Sequence, residues 1–306
     1  MRRATALVVA AGLLAVALTG CSSNPNASCD GALPSGKASD LVSATGKIGG
    51  TPKIDAPYPI DSTTSQRTIL TQGSGDQVQK GQVAEITFSI VDGKSGQVAQ
   101  NSTGETPLQL TTSSSNGLVN AITKGLQCTT VGSRVAIVAS PETLGQAAGG
   151  SSAVIVVDVL RTSLSAANGA VRPSVSGFPT VVLAPTGQPG ITIPSSGGAP
   201  SKVRSEVLKA GDGAVVKKKG TIVLQYTAVG WESKQPTTSS WSNGGPDIAD
   251  MATGQSQIQS ADNSVLPQTM LGELVGQKVG SQLVIETPKD GSRPAEAWVV
   301  DILGVL

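Results

Sequence analysis

The chain has 306 residues, a formal net charge of +1 from 22 basic and 21 acidic side chains, and no histidine. Without histidine the commonest general base and the commonest metal ligand are missing, which excludes Ser-His-Asp chemistry and argues against metal catalysis. No sustained basic stripe breaks the neutral balance, so nucleic acid is not expected as a partner. Aromatic residues make up 2% of the chain. Any pocket must therefore draw on Tyr58, Phe88, Phe178, Tyr226, Trp231, Trp241 and Trp298.

Met1-Arg2-Arg3 supplies a positive start, Ala4 to Ala17 is an uninterrupted run of apolar and small residues, and Leu18-Thr19-Gly20-Cys21 closes it. The run suits a signal-peptide core and is short for a stable membrane span. L-T-G-C resembles the lipobox of bacterial lipoproteins, which implies cleavage after residue 20 and lipid on Cys21. An ordinary secretory signal with an incidental cysteine is the alternative. Residues 21–45, rich at first in Ser, Asn, Gly and Ala, read as a tether. In an oxidising compartment the two remaining cysteines, Cys29 and Cys128, are expected to pair and fasten this tether to the first domain. Two separate buried thiols are the other reading.

An internal duplication follows. "GSGDQVQKGQVAEITFS" (73–89) matches "GDGAVVKKKGTIVLQY" (211–226), and "GLQCTTVGSRVAIVASPE" (125–142) matches "GELVGQKVGSQLVIETPK" (272–289). "AVIVVDVL" (153–160) matches "AWVVDILG" (297–304). Each unit is preceded by extended chain, expected to add a strand to its domain or wrap it. Alternating or β-branched runs predict strands over 85–90, 134–138 and 154–160, and over 221–226, 282–285 and 298–303. One short helix per unit is predicted, over 118–125 and 266–275. The fold class is α+β: two domains, each an antiparallel five- to six-stranded sheet around one short helix.

This order of elements and these strings resemble the FKBP-type prolyl isomerase domain, closely over 203–306 and less so over 65–162. The strings VGQKVGS (275–281) and VVDIL (299–303) carry the resemblance most specifically. After the signal peptide over 1–20 and the tether over 21–45, it implies a divergent first domain over 46–164. A linker or extended arm would span 165–202, and a second domain 203–306. It also implies catalysis by shape, with no nucleophile or cofactor: an aromatic-lined pocket favours the twisted Xaa–Pro amide, whose uncatalysed barrier is ~18–20 kcal/mol. By resemblance Tyr226 is the pocket tyrosine, Val265 and Leu266 are the pair whose backbone binds substrate beside proline, and Trp298 is the last-strand aromatic. The family's Phe-Asp pair is Thr237-Thr238 here, and its floor tryptophan is matched to Thr269. In the first unit Phe88, Ala99-Gln100, Ile122 and Ile155 take the corresponding positions, so that unit reads as a structural or binding domain.

The expected function is peptidyl-prolyl cis-trans isomerisation, attenuated and confined to the second unit. It would act on proline-containing segments of exported proteins from a monomer held by lipid at the extracytoplasmic face of the cell membrane. A non-catalytic lipoprotein that presents the same scaffold to a peptide or envelope partner is the alternative.

Overall fold

The computed structural model describes residue 29 and residues 31–306, except 80, 103, 105, 110–115, 146–149 and 257–264; of 106–109 it describes only the backbone. The predicted signal segment and Cys21 lie outside the described residues. In chain order the elements are α1 (Lys37–Asp40), β1 (Ser43–Thr45), β2 (Lys53–Asp55), β3 (Gln66–Thr71), β4 (Val83–Asp92), β5 (Val98–Asn101) and β6 (Thr106–Gln109). Next come α2 (Gly117–Leu126), β7 (Arg134–Ala139), α3 (Pro141–Leu144), β8 (Ala153–Thr162), β9 (Ala170–Val171), β10 (Thr180–Leu183) and β11 (Pro189–Thr192). The chain closes with β12 (Arg204–Ala210), β13 (Thr221–Gly230), β14 (Pro236–Ser239), β15 (Asp247–Asp250), α4 (Gln268–Leu274), β16 (Gln282–Thr287) and β17 (Glu296–Val305).

Two antiparallel sheets dominate, and their strand orders correspond. The first runs β3-β7-β8-β4-β5 with β6 also on β4; the second runs β12-β16-β17-β13-β14 with β15 also on β13. The second gains a seventh strand, β9, on the outer side of β12, one more than the five or six expected. That strand comes from the arm before the second sheet, which therefore extends the sheet.

Register irregularities repeat as well. Bulges fall at Ile69 and Val207, at Glu85 and Val223, and at Ile90 and Ala228, each pair 138 positions apart. A bulge inserts an unpaired residue and bends its strand. Three at matching places mark a shared backbone plan more specifically than strand order does. Beyond the loop that precedes each helix the spacing becomes 148, as between the buried Leu126 and Leu274.

Each helix lies on one face of its sheet. Asn116 caps α2, its Oδ1 accepting from the N–H groups of Leu118 (3.0 Å) and Val119 (3.3 Å). The face carrying Ala121, Ile122 and Leu126 packs into a core with Ile86, Val135, Ile137, Ile155 and Val157. Burying each large aliphatic side chain contributes about 1.5–3 kcal/mol. In the second sheet Met270, Leu271 and Leu274 of α4 pack with Tyr226, Leu283, Ile285 and Trp298.

The segment expected as a tether, fastened to the first domain by a disulfide, packs on that domain's sheet at several of its described residues up to 45. Leu33 rests on the first core, while Val42 and Ala44 join a second cluster with Ala136, Val138 and Val156 on the sheet's other face. Apolar side chains at these positions gain by covering that face, whereas a solvated spacer would leave both surfaces wet. Cys29 and Cys128 form a disulfide, with Cα atoms 5.6 Å apart. Cys128 has φ 61° and occupies the place that Gly276, φ 85°, holds in the second copy.

The sheets also touch. Val83 of the first clusters with Val223, Ile248 and Leu303 of the second, flanked by Leu164 and Leu306. The connecting chain is hydrogen-bonded down at once: Leu164 N–H donates to the Leu303 carbonyl (2.9 Å) and Gly169 N–H to that of Gly280 (2.9 Å).

Candidate functional site

Tyr226, Leu266 and Trp298, drawn from a central strand, the approach to α4 and the last strand, meet in one apolar cluster. Strand pairing aims Trp298, between Ala228 of β13 and Ile285 of β16. Its ring centroid lies 5.8 Å from that of Tyr226 at an interplanar angle of 52°, a tilted contact favoured by aromatic quadrupoles. Trp298 is 0% exposed and Tyr226 2%. The two rings thus form packed walls.

The Tyr226 hydroxyl donates to Asp247 Oδ2 at 3.0 Å, and Ser256 Oγ donates to the same oxygen. Tyr226 N–H donates to Ser240 Oγ at 2.9 Å. Burial, then the neighbouring Asp247 charge, pushes the Tyr226 phenol far above its ordinary value. It stays protonated and serves as a hydrogen-bond donor. The resemblance had marked the loss of a carboxylate at Thr238; the carboxylate that meets the tyrosine comes instead from Asp247 on β15. Its sequence signal was one of two acidic residues, Asp247 and Asp250, in the strand-like string PDIADM.

The α4 residue that joins the two rings in the buried cluster is Met270, 0% exposed, while Thr269, matched to the floor position in the sequence, is exposed. Helical periodicity decides this, because 270, 271 and 274 share the buried side of α4. The duplication agrees, since Ile122 lies 148 positions before Met270.

Glu296, two residues before Trp298 and 3% exposed, accepts from Thr237 Oγ1 at 2.6 Å. Burial raises its pKa, with the Thr237 hydrogen bond opposing. Neither Glu296 nor this use of Thr237 was anticipated.

Val265 and Leu266 present their backbone differently from a free edge. Leu266 N–H donates to the Gly254 carbonyl (2.9 Å), and the Val265 carbonyl accepts from Arg293 Nη2 (3.0 Å). Val265 is 44% exposed and Leu266 2%, so the pair forms a rim and a wall. Trp231 is 6% exposed and packs with Ile193, Val229 and Ala297 on the sheet's opposite face, away from Tyr226. Trp241 sits in a single 3₁₀ turn, Ser240–Asn243, directly after Ser239 of β14.

At the corresponding place in the first sheet the walls leave space. A cleft of about 280 Å3 is lined by Ile90, Ala99, Gln100, Leu118, Leu144 and Ala153, among others. Ile155, where the second copy has Trp298, is 0% exposed. One aromatic ring, Phe88, and one aliphatic side chain, Ile155, stand in the first core where the second copy packs Tyr226 against Trp298.

The chain matches no protein-family model and no curated protein sequence. Its structural neighbours are FKBP-type prolyl isomerase folds, multi-domain ones included, at low identity and low TM-score. The three FKBP domains of wheat FKBP73 align at 12% identity and TM-score 0.32, over 79% of this chain and 94% of that one. The N-terminal domain of FKBP42 from Arabidopsis thaliana aligns at 13% and 0.30, over 37% and 98%. The putative isomerase FKBP12 from Mycobacterium tuberculosis aligns at 18% and 0.25, over 32% and 83%.

Proposed function

We propose that this protein is a peptidyl-prolyl cis-trans isomerase of attenuated activity, built from two FKBP-like domains and working in the second. Lipid on Cys21 would hold it at the extracytoplasmic face of the membrane, where it meets proline-containing segments of exported proteins. The observation that carries the reading is the convergence of Tyr226, Leu266 and Trp298 in one apolar cluster from positions 72 residues apart in sequence. Such a site needs no nucleophile. Apolar walls that exclude water favour the twisted, less polar amide over the planar ground state. A protonated tyrosine, its hydroxyl donating to Asp247, holds its ring in one orientation at the wall. Attenuation follows from what the walls lack, with threonines at 237 and 238 and a flexible methionine, Met270, in the cluster.

A protease-coupled assay on proline peptides tests the activity. Catalysis above background is expected, reduced by Trp298→Ala and by Tyr226→Ala; no rate at high protein concentration, with varied residues before proline, rejects it. Cys21→Ala is expected to release the protein from membranes, and continued detergent-dependent fractionation would reject the anchor.

One observation favours a second reading, a non-catalytic scaffold that binds peptides. The cleft in the first sheet is open beside Leu118, whereas Tyr226, Leu266 and Trp298 of the second are sealed at 2%, 2% and 0% exposure. Peptide binding lost on filling the first cleft, with no isomerisation, would select it.

A further inference from the structure

We infer that the outer edge of β12 takes up an extended polypeptide segment as an added strand, one in which an apolar residue stands next to an acidic one. The inference goes beyond the isomerase reading and uses none of its site residues. On one side β12 pairs with β16 from Arg204 to Lys209, but on the other β9 meets only Lys209 and Ala210. The arm leaves the edge after Arg172, whose N–H donates to the Leu208 carbonyl (2.8 Å). An unpaired edge is a template for another strand. The first sheet shows how such an edge is closed. There Arg67 N–H points outward from β3 and donates to the Pro34 carbonyl (2.9 Å), and the Thr68 hydroxyl donates to Asp40 Oδ1 (2.6 Å). Ser205 lies 138 positions after Arg67 and faces Ile285 as Arg67 faces Ile137. The N–H and C=O of one strand residue share a side, and among the described residues the arm makes no backbone hydrogen bond to Ser205.

Space for the added strand lies on both faces of this edge. One cleft, of about 690 Å3, is lined by Phe178, Val181, Leu183, Leu208 and Val284, among others. The other, of about 630 Å3, is lined by Pro173, Val207, Gln277, Lys278 and Ser281, among others. Arg172, Val175 and Glu206 line both, so the edge at Glu206 divides them. Successive side chains of a strand point to opposite faces, and neighbouring residues of a docked segment therefore enter different clefts. The aromatic and aliphatic walls of the first suit an apolar side chain. The exposed Arg172 and Lys278 suit a carboxylate in the second. Charge points the same way: the cations lining the two clefts are Arg172, Lys209 and Lys278, and the carboxylate is Glu206. Strand addition draws its affinity from main-chain hydrogen bonds and its selectivity from alternate side chains.

The full chain with its disulfide is titrated with a blocked peptide alternating valine and glutamate, and amide hydrogen exchange is followed at Ser205. Binding is expected, with slower exchange of the Ser205 amide. The same peptide N-methylated throughout keeps every side chain but has no backbone donor, and it should not bind. Lysine in place of glutamate should weaken binding about three- to ten-fold, the range of one or two exposed ion pairs. Arg172→Glu combined with Lys278→Glu, both at exposed positions, should reverse that order. No binding, equal binding of the N-methylated peptide, an unchanged Ser205 amide, or no preference between glutamate and lysine overturns the inference. So does a Ser205 amide already protected without peptide in a protein that sediments as a dimer, because the edge then belongs to a second copy.

Discussion

Tyr226 and Asp247 are joined by a buried hydrogen bond of 3.0 Å that ties the central strand of the second sheet to the short strand beside it. Both side chains are sealed, at 2% and 0% exposure. Asp247→Ala should leave the tyrosine hydroxyl buried without this acceptor and cost about 1–3 kcal/mol. Asp247→Asn keeps an acceptor oxygen and should cost less. Thermal unfolding followed by near-ultraviolet circular dichroism checks the order, since Tyr226 and Trp298 lie together there; equal losses in the two variants would contradict the hydrogen-bond account.

A second buried pair differs between the copies. Arg134 reaches both carboxylate oxygens of Asp158, at 2.6 and 2.7 Å, and donates to the carbonyls of Gly46 and Lys47. The second sheet uses the neutral Gln282 against Asp301, at 2.7 Å. In both, an arm contributes a backbone N–H to the aspartate, from Gly49 and from Ala167. Arg134→Ala should destabilise by about 3–5 kcal/mol, because it strands a buried charge. Arg134→Gln, copying the second sheet, should lose distinctly less. The urea midpoint read by far-ultraviolet circular dichroism separates them.

The Cys29–Cys128 bond closes a loop of 99 residues. On the chain-entropy account its reduction should lower stability by roughly 4–5 kcal/mol. Because Cys128 has φ 61°, Cys128→Gly should lose less than Cys128→Ala, by ~1 kcal/mol, since only alanine must strain to enter the left-handed region. Paired melts of the two variants under oxidising conditions give that difference; a more stable alanine variant would refute it.

Burial raises the folded-state pKa of Glu296 above its ordinary 4.5 and that of Asp301 above 3.8. The folded protein therefore holds these protons more tightly than the unfolded chain. Their stabilising contribution is complete below the ordinary carboxyl values and is lost as pH rises through the raised ones. Asp92 and Asp250, lowered by hydrogen bonds from Ser95 and Thr253 at exposed turns, act in the opposite sense and lose their contribution on acidification. Glu296→Gln removes one raised group and keeps an acceptor for Thr237. Its unfolding temperature should therefore fall less than the parent's as pH increases above 4.5; an unchanged slope would show that Glu296 does not titrate in this window.

Much of the architecture was readable from local pattern. Period-two alternation in strings such as EITFSI and TIVLQY places strands because one face must be buried, and the matching strings at 125–142 and 272–289 expose the duplication. Cys29 and Cys128 suggested each other by count alone. What local pattern could not supply was which side chains meet. Thr269 and Met270 are neighbours in sequence, and only the helix's rotation against the sheet buries the methionine in the cluster with the rings. Asp247 and Tyr226 are 21 positions apart, and strand pairing alone brings a carboxylate to that hydroxyl. Gly254 reads as an ordinary turn glycine until its carbonyl is found on Leu266 N–H. Periodicity is a property of neighbours along the chain, so the sequence by itself determined the three central strands and the helix of each unit, their order and their repetition. Which side chains meet at the site depends on distances between segments, and only the tertiary structure decided those.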